Sequence, residues 1–447
     1  MNSVDEISLI VVILSILAGY LLGVFSGLVP GIHTNNFALI LLAISPMLSE
    51  NGISFIYIAI IILSNSISHS FHDIIPAIYL GAPSDDMALA VLPGHTLLLE
   101  GKGPEAIRLS ALGSAGSVAL ALIIAVPMSI LIGSIYPQIQ SNMALLLILV
   151  VLIMLLSEKG EFIQGQGSLA HWKSRGYALI VFFASGSLGI FAFKMGYLMH
   201  PLISLSEPSI LLPLLSGLFG SSQLIISMFS NPVIPDQLSS GIDLERKHIF
   251  RGIMVGGISG SLVAWLPGIS SSIATVFARL FIKQDFSRSG GNYAASDEVS
   301  SAAKEFIVSI SGVNTCNAIF GLFALVVIGK SRNGAMVAVN ELLDGISLDA
   351  PIMLLFLLAV TLTALLSYFS TIYLGDNVHR GLSKMDYSVM CYIVLGVLSI
   401  LVLVFTGVFG LMIFMVATPV GMLAPFLKIK KSHSMGVILL PVILYFL

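Results

Sequence analysis

Two stretches of this chain set proline and glycine side by side in apolar sequence and follow them with small polar residues. Residues 26–36 read SGLVPGIHTNN, and residues 261–272 read SLVAWLPGISSS. Proline lacks an N–H and clashes with the preceding turn, and glycine accepts backbone conformations other residues avoid. Pro30 with Gly31, and Pro267 with Gly268, are therefore read as helix ends. The residues that follow, Thr34, Asn35 and Asn36 or Ser270, Ser271 and Ser272, belong to the types preferred at helix N-caps. A helix starting there aims free N–H groups and a partial positive charge into the protein, which makes an anion site. His33 would contact such a ligand or carry a proton. The carbonyls of the broken turn would suit a cation, and Na+ is the one ion considered; no other cofactor is expected. The plainer alternative is a kink or an interfacial loop, and two copies, each with a polar cluster after it, weigh against it.

Each motif is followed by an apolar segment spotted with polar residues. In the first, Ser64, Ser66, Ser68, His69, Ser70, His72 and Asp73 interrupt the run; in the second, Ser309, Ser311, Asn314, Thr315 and Asn317 do so. Hydroxyls and amides often join one membrane helix to another. Histidine and aspartate inside a membrane cost more and read as functional. His69 and His72, three apart, share a helix face. Ser68, His69, His72 and Asp73 are therefore assigned to ion coupling or a proton relay, and Asn314, Thr315 and Asn317 to the ligand. A reading from another class starts from His33, His69, His72, Asp73, Asp85, Asp86 and His95, the residue types of a metal site. An intramembrane metal-dependent hydrolase would follow, but no H-E-x-x-H is present and the second half has no matching histidines.

The elements that position these residues must be membrane helices. Of 447 residues, 57% are hydrophobic and only 10% charged, with mean hydropathy +1.01. Soluble proteins carry about 25% charged residues. Lipid cannot satisfy backbone groups, so spanning segments are helices or closed barrels, and no two-residue alternation supports a barrel. Apolar segments lie near 8–29, 37–48, 53–80, 107–135, 142–156, 176–198, 209–230, 250–266, 270–282, 305–329, 351–374, 387–407, 408–426 and 434–447. The start lacks a basic region and is expected to be a first membrane segment rather than a cleaved signal. A net charge of −3 without a basic block gives no reason to expect a nucleic-acid partner. Cys316 and Cys391 are too few for a disulfide framework. No Walker A or G-x-G-x-x-G motif supports ATP-driven work, and no enzymatic activity is expected.

Basic residues concentrate in loops 157–175 and 242–251, at Arg380 and Lys384, and at Lys428, Lys430 and Lys431. Placing them in the cytoplasm puts the N-terminus outside a multi-pass plasma-membrane protein. One loop expected outside nevertheless holds Lys330 and Arg332. The spacing of the two Pro-Gly motifs gives an all-α fold of two repeats, 1–230 and 250–447, joined by a cytoplasmic linker at 231–249. Each has a Pro-Gly helical hairpin plus about five further transmembrane segments, an odd count that inverts the second copy.

At these motifs the chain resembles the TctA family, the large membrane subunit of tripartite tricarboxylate transporters. The resemblance rests on residues 26–36, on LPGHTLLLEGKGPEAIRLSALGSAGS at 92–117, on GISGSLVAWLPGISSSIATVFA at 257–278 and on ISGVNTCNAIFG at 310–321. The chain departs from the family at His33, at the histidine-rich 68–73 and at Gly94–His95. The resemblance implies a secondary transporter of carboxylates, driven by an ion gradient through alternating access. It implies a small membrane subunit and a soluble binding protein as partners, and ligand contacts at Pro30, Gly31, Pro267, Gly268, Asn314 and Asn317. The same helix starts would also suit the phosphate of a polyprenyl lipid, which makes a lipid-phosphate transporter the nearest alternative.

Overall fold

The computed structural model describes residues 8–29, 34–79, 87, 94, 97–98, 100–158, 169–203, 208, 210–228, 236–237, 241–267, 269, 271, 274–275, 278, 281–282, 297–344, 348–382 and 387–447. Among these residues the secondary structure is all helical. The first half contains α1 (Leu9–Leu28), α2 (Thr34–Glu50), α3 (Phe55–His72), the short α4 (Ile74–Tyr79), α5 (Gly103–Ser141), α6 (Met143–Leu156) and α7 (Leu169–Lys194). It closes with α8 (Leu211–Leu215), a π-helical turn (Ser216–Ser221) and α9 (Ser222–Met228). The second half contains α10 (Arg246–Val263), α11 (Asp297–Ile328), α12 (Gly334–Leu342), α13 (Ala350–Leu382), α14 (Tyr387–Phe426) and α15 (Gly436–Phe446). Seven helical stretches among the described residues are long and apolar enough to cross a membrane: Leu9–Leu28, Phe55–Tyr79, Gly103–Ser141, His171–Lys194, Ser301–Ile328, Ala350–Val378 and Cys391–Phe426. The stretches Phe55–Tyr79 and Ser301–Ile328 are the most buried of these, and both hold the polar-spotted sequence.

Small residues at every fourth position explain why α3 and α11 are so tightly held. Gly19, Gly23 and Gly27 line one face of α1, and a Cβ built at Gly23 would collide with Ser68 Cβ and the Asn65 carbonyl. Gly252, Gly256 and Gly260 line α10 in the same way, and a Cβ at Gly256 would collide with the Ser309 carbonyl of α11. Lipid tails are as apolar as leucine, so membrane helices associate through such close backbone contact and through polar side chains. The helix pairs then cross between the halves: α3 packs on α13, and α11 packs on α5.

The two longest helices far exceed one membrane crossing. α5 has 39 residues, roughly 58 Å at 1.5 Å per residue against a hydrocarbon core of about 30 Å. Its N-terminal end carries buried charge: Lys304 Nζ lies 2.7 Å from Glu105 Oε1, and Arg108 Nη2 lies 2.8 Å from Asp376 Oδ2. Glu105 also accepts from Asp243 N at 2.8 Å, while Glu305 holds His248 at 2.7 Å together with Arg251. α14 runs for 40 residues but breaks at Gly407, whose φ of 71° and ψ of −168° are non-helical. The carbonyl of His200 sits where a Cβ at Gly407 would stand. The two apolar segments expected at 387–407 and 408–426 are thus the two arms of one broken helix.

Candidate functional site

Asn65, His69 and Asp73 recur at every fourth position of α3 and its C-cap, and so form one polar stripe. All three are buried. Because the glycine face of α1 brings the two backbones together, Ser26 reaches this stripe: its Oγ lies 2.9 Å from His69 Nδ1 and 3.3 Å from Asn65 Oδ1. His69 Nε2 lies 4.0 Å from Asp73 Oδ2. From there the stripe crosses to the second half. Asn314 Nδ2 of α11 donates to Asp73 Oδ2 at 3.0 Å, and Asn314 Oδ1 accepts from Ser271 Oγ at 3.3 Å. Asn317 Nδ2 donates to the same Ser271 hydroxyl at 3.0 Å. Beside this chain, Ser70 and Thr315 share a hydrogen bond of 3.2 Å. One connected polar seam therefore joins α1, α3, α11 and Ser271, residues up to 291 positions apart (317 − 26).

The segment that leads into Pro267 is held against α11. Trp265 is 1% exposed and its ring lies 6.2 Å from that of Phe320 on α11, which seats the half-buried Pro267 turn beside the helix. Thr275 Oγ1 donates to the Ser271 carbonyl at 2.9 Å, a bond from residue i to i−4 along the same short stretch.

The structure divides the residues singled out in the sequence. Ser271, Asn314, Asn317, His69 and Asp73 come together in the seam, and Thr315 lies beside it, bonded to Ser70. Asn36, in the first turn of α2, is 1% exposed, and among the described residues neither its amide nitrogen nor its oxygen has a hydrogen-bond partner. Asn35 is turned elsewhere: its Oδ1 accepts from Ala335 N at 3.0 Å and so caps α12. Thr34 is half-buried at the start of α2. Pro30, Gly31, His33, Gly268, Ser270 and Ser272 lie outside the described residues.

The histidines separate. His72 Nδ1 lies 2.6 Å from the Ser68 carbonyl and Nε2 lies 2.8 Å from Ser370 Oγ on α13. A carbonyl only accepts, so Nδ1 carries the proton. The ring of Tyr20 meets that of His72 edge-on at 6.4 Å. His69 instead pairs with Asp73, four residues on rather than three. Ser68 donates to the Tyr20 carbonyl at 2.8 Å and helps to fix α1 on α3. Of the metal-type residues, His33, Asp85, Asp86 and His95 lie outside the described residues. Among the described residues no three His, Cys, Asp or Glu side chains gather as a metal site. Sequence reasoning passed over Ser26, Asn65 and Ser370. For Asn65 a signal existed, its spacing of four from His69; Ser26 and Ser370 depend on which helix packs where.

A helical chain with these spans and a polar seam buried among them is a polytopic membrane protein. Residues 13–436 match the family described as "Tripartite tricarboxylate transporter TctA family", and the chain belongs to that family. It is a transporter family, not an enzyme class, and its members work with other components in tripartite systems. The chain is also similar to uncharacterized protein MJ1079 of Methanocaldococcus jannaschii, at 26% identity over 97% of this chain and 99% of that protein. No solved structure matches it.

Proposed function

We propose that this protein is a secondary active transporter of a small organic anion of the carboxylate class, driven by a Na+ or H+ gradient. The observation that carries the reading is the seam itself. Donors from the second half, Asn314, Asn317 and Ser271, meet the ionisable pair of the first half beside the Pro267 turn. Asn36 adds a buried amide without a partner among the described residues, in the first turn of a helix that follows the other Pro-Gly. Helix starts and amide donors suit a carboxylate, and few other groups balance such a concentration of donors.

In this proposal residues 1–230 and 250–447 are inverted copies joined through 231–249. Reciprocal packing supports it: α1 lies on α3 as α10 lies on α11, and each central helix crosses to the other half's long helix, α13 or α5. Alternating access then moves part of each copy against the rest. The N-terminus is placed outside and the basic loops inside. In support, Lys430 Nζ reaches the Ser157 carbonyl at 3.2 Å and His433 meets Glu158 at 2.8 Å, so two of the basic loops lie together. By family resemblance, a small membrane subunit and a soluble binding protein complete the system.

A thermal-shift screen of detergent-purified protein tests the proposal. Di- and tricarboxylates, phosphate and a short polyprenyl phosphate are compared with and without Na+. A ligand of the folded state alone raises the melting temperature. Stabilisation by a carboxylate is expected; stabilisation by the lipid phosphate alone would replace this reading with a lipid-phosphate transporter.

A further inference from the structure

Resting on that reading of the seam, we infer that His69 and Asp73 form a proton-loading site, and that the anion binds only when the pair holds its proton. The coupled ion is then H+. Asp73 is 2% exposed and sits two hydrogen bonds, through Asn314, from Ser271 beside the second Pro-Gly turn. With a neutral imidazole and an ionised carboxylate, the pair carries one negative charge next to the anion site, and like charges oppose binding there. One added proton, on His69 or on Asp73 Oδ2, brings the pair to zero and removes the repulsion. That proton leaves to the opposite side after the anion is released, which restores the starting charge.

The neighbours fit both states. A serine hydroxyl donates and accepts. While His69 Nδ1 is bare, Ser26 donates to it across 2.9 Å. Once Nδ1 is protonated, Ser26 accepts from it and turns its own hydrogen to Asn65 Oδ1, 3.3 Å away. Asn314 Nδ2 donates to Asp73 Oδ2 in either state. Ser26, Asn65 and Asn314 keep their places as the proton comes and goes.

Among the described residues, the other titratable groups around α3 are otherwise engaged or distant. Tyr20 of α1 edges the His72 ring, and His72 is bonded to Ser68 and Ser370. On α11, the Cys316 thiol donates to the Ser117 carbonyl at 3.2 Å. Lys304 and Glu305 lie roughly 15 Å down the same helix from Asn314, at 1.5 Å per residue, and are held by Glu105 and by Arg251 with His248. On α4, α5 and α13, Tyr79 donates to the Gly375 carbonyl, and Arg108 and Asp376 hold each other. Tyr368 and Tyr373 of α13 stand on the half-exposed or exposed side of that helix. Glu50 ends α2, Tyr57 lies in the first turn of α3, and Glu341 is near the end of α12.

The test is the affinity of purified protein for citrate between pH 6.5 and 8.5, wild type against Asp73→Asn. Citrate's own ionisation is common to both proteins and cancels in the comparison. Wild-type affinity is expected to fall with rising pH relative to the variant, by up to about tenfold per pH unit, the limit for one linked proton. Asp73→Asn, fixed in the uncharged form, is expected to bind citrate with no such extra slope. Equal slopes in the two proteins, or a response to Na+ in place of pH, overturn the inference and leave the anion reading standing. Absence of citrate binding at every pH in wild type removes both. Should Asp73→Asn not fold, a pH indicator in weakly buffered wild-type protein gives the same answer: net proton uptake beyond that of citrate itself supports the inference, and none overturns it.

Discussion

Two helix pairs of this protein, α1 with α3 and α10 with α11, pack through glycines in the same way and carry different polar residues. In the first half, glycines of α1 press on α3, and the buried stripe they support carries Asn65, His69 and Asp73. In the second half, glycines of α10 press on α11 in the same register of four, yet near the seam α11 carries Asn314, Thr315, Asn317 and hydroxyls, and its charged Lys304 and Glu305 lie at the far end in ion pairs. Backbone packing is therefore the shared requirement, and charge is not. One half can change its protonation; the other offers donors that do not depend on pH. A carrier that must bind an anion and also respond to an ion gradient gains from that division.

The shared part of the comparison breaks with Gly23→Leu and Gly256→Leu. Each forces a side chain into a neighbouring helix backbone, and overpacking costs about 1–3 kcal/mol or more. Both are expected to lose the monodisperse peak in size-exclusion chromatography, while Gly176→Leu, with open space at its Cβ, keeps it. If only one of the two fails, the halves do not share a scaffold.

Comparable in size is Lys304→Met. Glu105 is 1% exposed, and removing one partner of a buried ion pair costs about 3–5 kcal/mol. The melting temperature should drop by several degrees, and Glu105→Gln in the same chain should recover part of the loss. Additive losses would mean that the pair is not coupled.

Within the seam, Asn314→Leu removes the donor to Asp73 and the acceptor of Ser271. Anion affinity is expected to fall by roughly 5- to 150-fold, since an unpaired buried polar group costs about 1–3 kcal/mol. The smallest effect falls on His72→Gln. His72 faces Ser370 rather than the seam, so affinity should change less than threefold. A His72→Gln loss as large as that of Asn314→Leu would place the ligand on the α13 side of α3.

Much of the scaffold was readable in the sequence because composition and period report it directly. The Pro-Gly motifs and polar-spotted segments stand out against apolar runs, and the stretches that hold the latter are the most deeply buried spans. Pairings between helices were not readable. His69 and His72 looked like partners at a spacing of three, but His69 meets Asp73 four residues on along its own helix, and the position of α1 brings Ser26 to it. Asn35 stood out only as a residue after the Pro-Gly motif, and the packing of α12 on α2 gives its Oδ1 a helix start to cap. Arg332, awkward in a loop expected outside, stacks 5.6 Å over the Tyr136 ring and donates to its hydroxyl. Local pattern cannot report contacts that depend on a second helix.

The most direct test of the account is calorimetric binding of citrate to wild type and to the double variant Ser271→Ala/Asn314→Leu, each first shown to be folded. The account predicts binding by wild type and its loss in the double variant, because the anion is held where the two halves meet. Citrate bound equally well by both proteins would contradict it.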